Sequence, residues 1–295
     1  MWLAVLSAVF LGFYDVAKKA AVHDNAVLPV LLASSCAGLL VFAPLLALVV
    51  LAPNTTASLG FDIVALSATG HALVLAKAAL VTSSWVLTFF ALKHLPISLA
   101  SSVRASAPVF TLLGAVTLFG ERPTLRQGIG ILVVLGSYWA FSWIGRSEGI
   151  RFSRNPWVWS LFLGTLVGAA SSLYDKHLLQ GAKLPPLTMQ LWFSVYNTII
   201  QAAVVGLLWW PRRARTTPFR WRASILAVGV LLVVADALYF RALAQPGALV
   251  SVVSTLRRTN VVLSFVVGSA LFGERNRVPK AVALAGILLG IFFIV

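Results

Sequence analysis

Charge is scarce in this chain, and negative charge is scarcer still. Of 295 residues only 11% are Asp, Glu, Lys or Arg, and just 8 are acidic, where a soluble domain carries about 25% charged residues. With 60% of residues hydrophobic, no water-soluble fold could hide so much apolar surface, which leaves an all-α polytopic membrane protein. The single cysteine, Cys36, excludes an intramolecular disulfide and a thiolate metal cluster. His23, His71, His94 and His177 are scattered without HExxH or other ligand spacing, so neither a metal site nor a cofactor is expected. GxSxG, P-loop and GxGxxG contexts are missing, which argues against hydrolase and nucleotide chemistry. No basic stretch precedes Trp2, so the first apolar segment is expected to serve as its own uncleaved insertion signal.

What the chain does have is ten apolar segments, roughly 2–20, 28–51, 66–91, 97–118, 126–145, 157–178, 187–210, 223–243, 248–271 and 279–295. About 20 residues at 1.5 Å each cover the hydrocarbon thickness of a bilayer, so ten transmembrane helices are expected. Pro and Gly punctuate the joints. The net charge of +15 resides mainly in short connectors, the pattern of membrane topology rather than nucleic-acid binding. The odd-numbered loops hold most of the Lys and Arg, including Arg146, Arg151, Arg154, Arg212, Arg213 and Arg215, and are expected to be cytoplasmic.

The stretch SVVSTLRRTNVVLSFVVGSALFGERNRVPK, residues 251–280, has an earlier partner in SSVRASAPVFTLLGAVTLFGERPTLRQ, residues 101–127. Ser101 matches Ser254, Arg104 matches Arg257, Thr111 matches Ser264, and the FGER turns match, all at one offset of 153 residues. Tyr14-Asp15 likewise matches Tyr174-Asp175, and Phe89-Ala91-Leu92 matches Phe240-Ala242-Leu243. The chain is a duplication with repeats at 1–146 and 147–295. Five helices per repeat is an odd number, so the second copy enters the membrane from the opposite side. Such inverted repeats mark transporters with a substrate site near the midplane. Gly128, Gly130 and Gly136 in the fifth segment, and Gly286 and Gly290 in the tenth, predict close helix packing in lipid.

Two halves, each with a helix that ends in an FGER turn followed by a Gly-rich helix, resemble the drug/metabolite transporter superfamily, EamA-like branch, over the whole chain. The resemblance implies ten helices around a central cavity and transport of metabolites such as amino acids, sugars or nucleotide sugars. The Arg257-Arg258 pair also resembles the Lys-Arg pair of organellar sugar-phosphate translocators, with Arg in place of Lys.

Several side chains are candidates for chemistry. Arginine inside a bilayer is expensive and persists mostly where it does a job. Arg104, Arg257, Arg258 and Lys77 are therefore expected to contact substrate, with Ser254, Asn260, Tyr239 and Trp85 beside them. Arg257 shares a helical face with Ser254, Asn260 and Ser264, so it is expected to face the cavity while Arg258 flanks it or pairs with Asp236. Asp236, Asp15 and Asp175 are candidates for coupling, or else neutralise the cations. Four cations against three carboxylates leave room for an anion. Trp85, Tyr138, Trp139, Trp192 and Tyr196 line a cavity or form interfacial belts. Glu121 and Glu274 are expected to accept orphan backbone N–H groups at the FGER turns. These features predict a secondary transporter of a small anionic or zwitterionic metabolite in the cell (plasma or inner) membrane, a multi-pass protein whose partners are that solute and the lipid bilayer. They leave a homodimer open, and keep a lipid-phosphate flippase and an integral membrane transferase as alternatives.

Overall fold

The computed structural model describes residues 1–51, 63–95, 100, 103–104, 107–146, 155–272 and 277–294. Every regular element among them is helical: α1 (Trp2–Val22), α2 (Val27–Leu40), α3 (Phe42–Leu51), α4 (Ala68–His94), α5 (Ala107–Phe119), α6 (Leu125–Arg146), α7 (Pro156–Lys176), α8 (Pro186–Val204), α9 (Ala223–Leu243), α10 (Val250–Arg258), α11 (Asn260–Phe272) and α12 (Arg277–Ile294). Six stretches of the described residues are long and apolar enough to cross a bilayer: Val27–Pro44, Ala68–His94, Pro156–Gly181, Pro186–Arg215, Ala223–Leu243 and Val250–Gly268. Three shorter apolar helices accompany them, and α1, at 21 residues, carries Asp15, Lys18 and Lys19 within its length. The protein is a multi-pass membrane protein.

Local chemistry sets the ends. Ser67 caps α4 by accepting from the Gly70 N–H at 3.1 Å, and Asn155 caps α7 by accepting from the Trp157 N–H at 2.9 Å, with Pro156 in the first turn. Both are the residue types that satisfy orphan N–H groups best. Gly120 follows α5 with φ +61°, and the Glu121 N–H donates back to the Ala115 carbonyl at 3.2 Å, the six-residue closure a left-handed glycine permits. Two expected spans are interrupted rather than continuous. The segment 28–51 breaks at Val41, and 248–271 breaks at Thr259, directly after Arg258.

The packing respects the duplication. Helix α1 lies against α9 as α4 lies against α7; α9 lies against α2 as α4 lies against α8; α1 meets α10 and α11 as α7 meets α5. Exchanging the first repeat for the second converts one member of each pair into the other. The α6–α12, α2–α8 and α5–α10 contacts join equivalent helices.

The α6–α12 contact is the closest of these. A Cβ on Gly130 would stand 2.8 Å from the Gly290 carbonyl oxygen, and one on Gly290 would meet the Gly130 carbonyl at the same distance. Gly128 and Gly136, expected to share this role, have open space where a side chain would go; they lie off the contact line. Outside the bundle the surface is apolar, with Leu118, Leu132, Leu207 and Phe292 exposed, while Asp15, Lys77, Asp175 and Asp236 are buried. Polar groups inside and apolar groups outside is the arrangement a bilayer selects.

The basic connectors gather together. Buried Asn25, between α1 and α2, donates to the Arg220 carbonyl at 2.7 Å and accepts from the Arg220 N–H at 2.8 Å. Arg222 reaches the Ala20 carbonyl at 2.8 Å, and Lys93 at the end of α4 donates to Thr217. The loops after α1 and α8 therefore share one end of the bundle with the C-terminus of α4.

Candidate functional site

The centre of the bundle holds a cavity of about 120 Å³ lined from α1, α4, α7, α8, α9 and α10 together with Arg104. Its charged lining is Lys18, Lys77, Arg104, Asp175, Asp236, Arg257 and Arg258, with Tyr14, Trp85, Tyr239 and Ser254 among the other lining residues. Three ion-pair groups organise it. Asp15 on α1 accepts from Lys18 Nζ and from Arg104 Nη1, both at 2.8 Å, while its second oxygen accepts from Asn260 Nδ2. Lys77 on α4 is paired with Asp175 on α7. Arg257 Nη2 is paired with Asp236 on α9.

Ring faces back the cations. Lys18 Nζ lies 4.6 Å from the Tyr14 ring centre and 5.3 Å from that of Phe89, and Lys77 Nζ lies 4.8 Å and 5.0 Å from those of Phe193 and Phe240. The Arg257 guanidinium stacks over Tyr239 at 4.3 Å. Aromatic quadrupoles stabilise a desolvated cation, which helps to hold these groups charged away from water.

The charge pattern breaks the repeat symmetry. Arg104 and Arg257 occupy equivalent positions, as do Asp15 and Asp175, so strict symmetry would pair Arg257 with Asp175. Instead Lys77 holds Asp175 and Asp236 holds Arg257. In the repeat alignment Lys77 falls opposite Val228, and Asp236 falls opposite Trp85. One added cation in α4 and one added carboxylate in α9 are enough to reassign both partners.

Most expected residues converge here, with two differences at Asn260 and Lys18. Asp236 pairs with Arg257, and Arg258, one helical step of about 100° further round, lines the same cavity. Asn260 does not line the cavity; it turns to α1 and donates to Asp15. Asp15 and Asp175, expected to couple transport or to neutralise the cations, are both buried and ion-paired. The cations number five rather than four, because Lys18 joins them. Its position three residues after Asp15, on the same helical face, was the available signal. Among the aromatics, Trp192 and Tyr196 pack with His71, away from the cavity. Trp139 is exposed on the apolar surface, and the Tyr138 side chain lies outside the described residues.

Glu121 has a definite role. Its Oε1 accepts from the Val250 N–H at 2.7 Å and from Lys176 Nζ at 2.7 Å, and its Oε2 accepts from the Ser251 N–H at 3.2 Å and from the Ser251 hydroxyl. It therefore caps α10, in the other repeat, rather than the turn in which it stands. Burial alone would push this carboxyl up, but the hydrogen bonds from Lys176, Ser251 and the α10 N–H groups outweigh it and hold it below the ordinary glutamate value. The equivalent Glu274 lies outside the described residues.

Two matches to one family model cover residues 1–143 and 155–295, and the model is that of the EamA-like transporter family. The chain belongs to the EamA-like transporter family. Members of this family are transporters rather than enzymes. A solved crystal structure of a protein resembles the EamA-like chain with a TM-score of 0.69 at 17% identity, covering 99% of this chain and 94% of the other. At that identity the likeness is one of fold. Comparison with curated proteins gives no match.

Proposed function

We propose that this EamA-like protein is a secondary active transporter of a small anionic or zwitterionic metabolite, such as an organic acid, an amino acid or a phosphorylated compound. It works by alternating access of two inverted five-helix repeats, residues 1–146 and 147–295, with ten spans in the cell (plasma or inner) membrane. The observation that carries this reading is the composition of the central cavity, where among the described residues five cations line the wall with Asp175 and Asp236, and Asp15 pairs with Lys18 and Arg104 from beside it. Positive charge clustered in an apolar bundle is costly, and an anionic solute relieves that cost. Arg257, Arg104 and Arg258 are the substrate contacts, with Ser254, Tyr239 and Trp85 around them and Lys77 in the wall.

Coupling to protons, or exchange against a second solute, is assigned to Asp236, with Asp15 and Asp175 holding the remaining cations. The repeat-exchange symmetry of the packing supports rocking of one repeat against the other, because either closed arrangement can use the same set of helix contacts. The test is reconstitution into liposomes with paired anionic and cationic metabolites under an imposed pH gradient. Accumulation of an anion that collapses with the gradient, or that instead requires counter-solute, is expected. Uptake of cations alone would overturn the reading.

A further inference from the structure

The cations of the cavity are of two sorts. The Lys18 and Lys77 side chains are 4% and 2% exposed, each closed against a carboxylate and two aromatic faces. They belong to the wall. The Arg104 and Arg257 side chains are 21% and 18% exposed and reach the open space. Arg257 meets Asp236 through one terminal nitrogen, and its buried Nε has no acceptor among the described residues. A buried donor left unmet is costly, so this edge of the guanidinium calls for a ligand oxygen.

The two arginines are also separate anchors. Arg104 stands at Asp15 on α1, and Arg257 stands at Asp236 on α9. Tyr14 lines the same cavity as both arginines. Leu11, Val81, Trp85 and Leu232 supply apolar wall to the same cavity. Two planar forks at separate anchors, an unmet guanidinium N–H on one of them and an apolar lining match a solute with an anionic group at each end and hydrocarbon between. Building on the transport reading, we propose that the cavity binds such a two-ended dianion, with the chemistry of an α,ω-dicarboxylate, one carboxylate at Arg104 and the other at Arg257.

The experiment uses the full-length protein in proteoliposomes and a panel of radiolabelled solutes that differ chiefly in their end groups: succinate, glutarate, butyrate, 4-aminobutyrate, propyl phosphate and putrescine. Uptake of a dicarboxylate at least about tenfold above butyrate and propyl phosphate is expected. Arg104→Gln or Arg257→Gln should each bring the dicarboxylate-to-butyrate ratio toward one, a readout that a loss of folded protein does not mimic. Should butyrate, 4-aminobutyrate or propyl phosphate match the dicarboxylates, the two-ended assignment fails while anion or zwitterion transport stands. Uptake of putrescine alone, or of nothing in the panel by protein that elutes as a single folded species, sinks the two-ended assignment, and the putrescine result sinks the transport reading with it.

Discussion

Replacing Glu121 tests whether the first FGER turn holds the second repeat together. One carboxylate receives two backbone N–H groups, a hydroxyl and the Lys176 ammonium, and Lys176 is 12% exposed at its side chain. Loss of a helix cap costs about 0.5–2 kcal/mol. Leaving a largely buried lysine unpaired costs about 3–5 kcal/mol where burial is complete, and somewhat less here, because Lys176 also lies 5.0 Å from the Phe119 ring. Glu121→Ala should therefore lose about 3–5 kcal/mol in total. Glu121→Gln should lose about 1–3 kcal/mol, since its oxygen can still accept while its amide opposes the N–H groups. The assay is reversible unfolding in mixed detergent micelles followed by tryptophan fluorescence. Lys176→Met combined with Glu121→Ala should recover part of the loss, because the uncompensated charge is gone. A cost below about 1 kcal/mol for Glu121→Ala, or strict additivity of the pair, would refute the trans-cap account.

Three further outcomes are expected. The stabilisation from Glu121 should depend on pH: a carboxyl held below its ordinary value of 4.5 stabilises fully above that value and loses the contribution as pH falls below it. The wild-type advantage over Glu121→Gln in detergent melting should accordingly shrink in acid and stay constant from neutral pH upward. Gly290→Val places a Cβ 2.5 Å from Val134 Cγ2 and 2.8 Å from the Gly130 carbonyl, so the α6–α12 contact must open at about 1–3 kcal/mol, read from the same unfolding assay. Asp236→Asn should leave solute exchange active but abolish uphill transport driven by a pH gradient, whereas loss of both modes together would assign Asp236 to holding Arg257 in place.

The parts of this architecture that were legible in the sequence are those that depend on local pattern. The first FGER turn announced the end of α5, and the offset that matches Arg104 with Arg257 put two arginines that line one cavity in register. Ser254 and Arg257, one turn apart, both line that cavity. Partner choice was not legible, because it is decided between helices far apart in the chain. Asp236 and Lys77 have no counterparts in the opposite repeat, and they redirect two ion pairs away from the symmetric arrangement. The same helical face that carries Arg257 turns, past the break at Thr259, toward α1, so Asn260 serves Asp15 instead of the cavity. Glu121 looked like a cap for its own turn, yet its acceptor oxygens meet N–H groups 129 and 130 residues away. Gly130 and Gly128 look alike in sequence and only one of them touches α12.

The central claim, that the arginines of α10 and of its equivalent in the first repeat carry an anion, is tested most directly by anion uptake into proteoliposomes with single replacements at Arg257. Arg257→Ala should abolish uptake in protein that still folds and inserts. Arg257→Lys, which keeps the charge but loses the planar fork, should retain weak uptake, reduced by about one to two orders of magnitude. Wild-type rates in Arg257→Ala would contradict the account.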